Sequence, residues 1–218
     1  MKGFVYIILF LTTFSWGSIC AQKVDPKGTF NVELTLPGSV SNAPFSDIMQ
    51  GLANVSVLYQ YSFPFHLNVG GGVRYSLFTV DEFAVPSPVY GNMQSGSVFL
   101  KLGYDKFHND RFATDYGVKF GYTETFFSTD VNKENGVNPV RVLGPGAEAT
   151  IGLILTADER NSYRLIFGYG LQNFGFNPSM IGLESNEGYD PGEFDRITQY
   201  FCLGFGYTFY FGQKSSTD

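Results

Sequence analysis

Two imidazoles, two thiols and a scatter of isolated charges are the reactive side chains that this sequence of 218 residues offers. A histidine acts as a base in hydrolysis beside a nucleophile and an orienting carboxylate. The run His108-Asn109-Asp110 supplies no Ser and reads as a polar turn, while His66 follows the turn signal Phe63-Pro64 and falls on the inward side of its strand. Cys20 and Cys202 are too few for a disulfide scaffold or a Cys-based zinc site, and Cys202 beside Gly204 reads as a small buried residue. Glu184, Glu187, Asp190, Glu193 and Asp195 crowd one stretch, but without EF-hand spacing they predict a solvated acidic loop. Gly70-Gly71-Gly72 has neither the following helix nor the Gly-Lys-Ser/Thr of a phosphate loop. No metal, cofactor or catalytic residue is expected. A net charge of −6 with no basic run disfavours a nucleic-acid partner.

The remaining chemistry is that of ion pairs. Glu33, Arg74, Lys101, Asp115, Lys119, Glu148 and Arg164 stand singly inside apolar, alternating segments, together with Gln60 and Gln172. A charge buried alone in such a place costs several kcal/mol, so these residues must meet one another. What positions them is a period of two. It runs through eight segments, near 30–36, 54–61, 67–77, 97–105, 112–122, 147–155, 163–172 and 201–211. Each approaches the 9–11 residues or so that a tilted membrane strand needs. Helical periodicity is absent after the leader.

Alternation fits a soluble barrel with a greasy core and a membrane barrel with a greasy exterior equally well. Glycine separates them. Gly70, Gly72, Gly103, Gly117, Gly121, Gly152, Gly168, Gly170, Gly204 and Gly206 all fall on the polar face. A solvated strand surface built that way would lose strand propensity and gain no packing, whereas inside a narrow barrel glycine makes room for large neighbours. Charged residues are 16% of the chain, too few for a solvated outer surface. Phe and Tyr close many of the apolar faces, as interfacial girdles do.

The first 21 residues read as a secretory signal. Met1-Lys2 is a short basic region, 4–14 is an apolar run too short to span a bilayer, and Ile19-Cys20-Ala21 precedes a cleavage site before Gln22. Cys20 raises the possibility of lipidation, but Gly17 and Ile19 stand where that motif wants Leu and a small residue. Residues 22–218 then form one domain, and the seven polar residues after Phe211 leave no room for a peptidoglycan-binding module.

Connections alternate long and short. The long ones are near 37–52, 78–96, 125–146 and 173–196; the short ones centre on Phe63-Pro64, His108-Asn109 and Asp158-Glu159. Short periplasmic turns and long outer loops predict an up-and-down barrel with both termini in the periplasm. The turn near residue 108 sets Lys101 opposite Asp115, Lys119 falls level with Glu148, and Glu148 faces Gly170. Phe83 and Phe176 are candidate exposed partner contacts on the loops.

The aromatic ending Gly206-Tyr207-Thr208-Phe209-Tyr210-Phe211 resembles the insertion signal of outer-membrane barrels. The chain as a whole resembles the small eight-stranded outer-membrane β-barrels typified by the transmembrane domain of outer membrane protein A and by OmpX. The likeness is one of architecture over residues 22–218. It implies an all-β, transmembrane, antiparallel barrel in the outer membrane of a Gram-negative cell, embedded in outer-membrane lipid and lipopolysaccharide. It also implies a non-enzymatic role: structural, adhesive or binding, or as a subunit of an envelope complex that meets other envelope proteins through its loops or its wall. Two alternatives stand beside this. One is an outer-leaflet lipid A-modifying enzyme, since deacylases and palmitoyltransferases share the barrel; the other is a narrow pore through the charge network.

Overall fold

The computed structural model describes residues 27–85, 89–109, 111–137, 139–158, 160–183, 189 and 197–211. The leader, Cys20 included, and the five acidic residues between Glu184 and Asp195 lie outside the described residues. The chain forms β1 (Lys27–Ser41), α1 (Ala43–Ile48), β2 (Met49–Ser62), β3 (Leu67–Val80), β4 (Gly91–Phe107), β5 (Phe112–Thr129), α2 (Asp130–Glu134), β6 (Val140–Thr156), β7 (Asn161–Gln172) and β8 (Thr198–Phe211). Each strand pairs antiparallel with the next, and β1 closes on β8. The barrel has no open edge, which membrane-spanning strands require.

Alternation places the side chains as the pattern demands. Outward positions are apolar and open, with Val98 68% and Phe205 72% exposed, while Lys101 on the inner face is 1% exposed. An apolar surface of this extent around a charged interior is stable only against acyl chains. The barrel is transmembrane. Tyr61, Tyr104, Tyr163 and Tyr207 ring the exterior toward the short turns, and Tyr75, Tyr122 and Tyr169 ring it farther up. Beyond the upper ring polar residues join the apolar ones on the outward face, with Gln94, Gln199 and the ion pair of Glu124 with Arg141.

Glycine on the inner face serves close approach. A Cβ on Gly170 would lie 2.2 Å from the Tyr200 ring, and one on Gly72 would lie 2.3 Å from the Val57 carbonyl and 2.6 Å from the Leu58 Cβ. We expect Gly72→Ala to cost about 1–3 kcal/mol through overpacking. Gly96→Ala, where a Cβ meets no atom within 4 Å, should be neutral or gain about 0.5–1 kcal/mol. Urea unfolding in lipid vesicles measures both, and equal effects would refute the packing role.

Three differences from the sequence expectation concern register and reach. Lys101 faces Lys119, and Asp115 faces Asp105, because the turn spans four residues, with the His108 N–H donating to the Phe112 carbonyl at 2.9 Å. Strands run well past the expected loop boundaries, to 14–18 residues in β2–β6. Two short helices also occur in the connections, each N-capped by a side chain, Asn42 for α1 and Thr129 for α2. The last two reflect tertiary packing at the long-connection end.

Candidate functional site

The lumen is layered. Nearest the short turns, Lys101 Nζ lies 2.5 Å and Arg164 Nη1 2.9 Å from Asp115 Oδ2, and Lys101 also donates to Gln60 Oε1 at 3.1 Å. Lys101 reaches Asp115 diagonally, which restores the pair that direct register denies it. Above this, Lys119 Nζ sits 2.6 Å from Glu33 Oε2 and 3.3 Å from Glu148 Oε1, and Arg74 pairs with Glu148. Ser56 donates to Glu33 at 2.7 Å, and the Tyr200 hydroxyl donates to Glu148 at 3.2 Å. Lys119 on β5 and Glu33 on β1 come from opposite walls, so the pairs are struts across the lumen. The structure thus gathers all seven charges singled out above, and buries Gln60 and Gln172 among them.

Asp105 is the eighth charge. It shares the alternation that turns Lys101 and Gly103 inward, and it is buried opposite Asp115. With it, Glu33, Asp105, Asp115 and Glu148 balance Arg74, Lys101, Lys119 and Arg164. Sequence reading also passes over Phe99, Leu58 and Ile166. Each turns inward but stands inside a continuous apolar run, where parity is invisible. Phe99 supports the charges with its ring, 5.4 Å from Lys119 Nζ and 5.9 Å from the Arg74 guanidinium carbon.

Next comes a layer of hydroxyls, Ser97 with Thr123 at 2.8 Å and Ser95 with Thr125 at 2.9 Å. The far end is apolar. Phe45, Ile48, Met49, Phe78, Met93, Phe127, Phe174, Phe176 and Ile181 form one buried cluster from α1, the strand ends and the β7–β8 connection. Phe176 is fully buried there, which corrects the expectation of an exposed contact: its ring packs on Phe45 at 5.6 Å and Phe127 at 5.8 Å. The inserted backbone is held by side chains, as Asn42 donates to the Phe176 carbonyl, Thr198 to Phe174, Asn132 to Met180 and Thr129 to Ile181, at 2.8–3.1 Å. Phe83 does stand open, 91% exposed at the rim.

Neither histidine meets an acid–base partner set. His66 has φ +67°, which takes it out of strand alternation, and its ring packs on Tyr104 and Phe107 at the rim, a correction to its expected place in the lumen. His108 Nε2 lies 2.9 Å from Thr114 Oγ1, and the ring stacks on Phe112. In the third short turn, hydrogen bonds from Asn161, together with the Arg160 N–H, hold the Asp158 carboxyl below its ordinary range. Among the described residues, no group of three or more His, Cys, Asp or Glu side chains is placed to hold a metal ion. Cys202 is buried, with Asn54 Nδ2 3.3 Å from its sulfur.

No family model and no curated protein matches the sequence. Solved structures do. Neisserial surface protein A superposes with a TM-score of 0.55 at 10% identity, over 85% of this chain and 99% of that one. The fold is that of the small outer-membrane barrels. Also similar are Ail, the attachment invasion locus protein of Yersinia pestis, in complex with the heparin analogue sucrose octasulfate, and OprG from Pseudomonas aeruginosa. Ail gives TM-score 0.49, 11% identity and coverage of 86% and 100%; OprG gives 0.49, 14%, and 88% and 99%.

Proposed function

We propose that this protein is a closed, non-conducting outer-membrane barrel whose work is done by its surfaces. It acts as a structural, adhesive or binding protein, or as a subunit of an envelope complex, and performs no catalysis. The observation that carries this reading is the double closure of the lumen. Charge-balanced struts fill the half nearest the short turns, and an apolar cluster fills the other, so a hydrated ion meets first a salt-bridge lattice and then a dry barrier. In this reading the short turns and both termini face the periplasm. The long connections, folded onto the apolar cluster, present a shaped outer surface, with lipopolysaccharide against the upper wall. The support for a non-catalytic role is the placement of both histidines at the short-turn end, away from any serine–carboxylate pair.

The reading makes an electrical prediction. Purified protein in planar bilayers should show no steady conductance above the bare membrane at either polarity. A reproducible open level would instead favour the narrow pore. Crosslinking in native membranes then distinguishes the two surface roles. Adducts from the rim near Phe83 indicate binding through the long connections, and adducts from the wall near Val98 indicate a place in a complex.

A further inference from the structure

One cavity in the lumen lies between the ion pairs and the hydroxyl layer. It has a volume of about 10 Å³ and is lined by Arg74, Ser97, Phe99, Lys119, Thr123 and Gly146, among others. Arg74 is 7% exposed, and its Nη1 is bound to Glu148, but its Nε–H has no protein partner. A buried donor left so is unfavourable, and such groups are ordinarily satisfied by protein or by ordered water. The other polar side chains among the lining residues are those of Lys119, Ser97 and Thr123, the last two paired through their hydroxyls.

We infer that this cavity is a binding site for a single structural water molecule, which accepts from Arg74 Nε and bridges it to the Ser97–Thr123 hydroxyls. Size and charge select the ligand. The volume corresponds to about one water-sized sphere, and two to four polar partners are what such a water needs. A cation is repelled by the positive charges of Arg74 and Lys119 on the wall. A halide would add an uncompensated charge, since Arg74 and Lys119 are already balanced by Glu148 and Glu33. The bound water joins the ion pairs to the hydroxyl layer and completes the hydrogen bonding of Arg74.

A high-resolution crystal structure of the mature protein, with a parallel bromide soak, tests the site directly. Density at hydrogen-bonding distance from Arg74 Nε without a bromide anomalous peak is the expected result. An empty cavity, or an anomalous peak in it, overturns the inference. Gly146→Ala gives a second test in solution. Its Cβ would enter the cavity wall 3.6 Å from Thr123 Oγ1 and 3.2 Å from the Leu171 carbonyl. Expelling the water should lower the melting midpoint by roughly 2–4 °C, whereas filling an empty void would raise it. In the background of Arg74→Met with Glu148→Leu, which removes the orphan donor, that loss should vanish. A loss that persists there is steric and overturns the inference.

Discussion

Glu148→Gln is expected to lower the unfolding free energy by about 3–5 kcal/mol, because it leaves Arg74 and Lys119 buried with only Glu33 to balance them. Gln can still accept a hydrogen bond, so what is lost is chiefly charge compensation. The double variant Arg74→Met with Glu148→Leu should recover most of that loss, since two apolar groups leave no charge to desolvate. Urea titration of the refolded protein in vesicles, run as a full double-mutant cycle, measures both. A single variant that costs less than about 1 kcal/mol would mean that the struts are solvated, and the closed-lumen reading would fail with it.

Phe127→Ala should cost a further, independent 3–5 kcal/mol or so by opening a cavity in the apolar cluster. Its ring is fully buried and meets Phe174 at 6.3 Å and Phe176 at 5.8 Å. The damage should be local as well as global. The N–H groups of Gly182 and Leu183, which close the turn at Pro178–Ile181, should exchange with deuterium faster, because that turn is held in place through Ile181 and Phe176. Phe126→Ala, one residue away on the outward face, should leave that exchange unchanged. If both variants act alike, the long-connection end is not packed as one unit.

The barrel itself was legible because its signal is repetitive. Eight alternating segments, each reporting the same parity, outvote any local irregularity, and the glycine-rich polar face settles which side meets lipid. The lumen charges were legible for the same reason: Glu33 and Arg164 stand alone within their alternating segments, and parity can send each only one way. Register was less so. A strand pair can slide by the length of its turn, and nothing in Lys106–Arg111 states whether that turn closes about residue 108 or 110. Phe99 and Leu58 were hidden inside Val98-Phe99-Leu100 and Val57-Leu58-Tyr59, where every residue is apolar and alternation carries no contrast.

The far end of the molecule was decided by tertiary structure. Sequence alone read 37–52, 78–96, 125–146 and 173–196 as four separate loops, since no period links them. The fold joins them: Phe45, Phe78, Met93 and Phe127 come from four elements and Phe176 from the β7–β8 connection, and all are packed in one buried cluster. What the chain determined by itself was the periodicity of its strands, and hence which residues face lipid and which face one another. Whether the top of the barrel is open or sealed depended on contacts between residues far apart in sequence. Such contacts arise only after closure has brought the strand ends within reach, because apolar burial is non-directional and rewards whichever surfaces the closed wall happens to assemble.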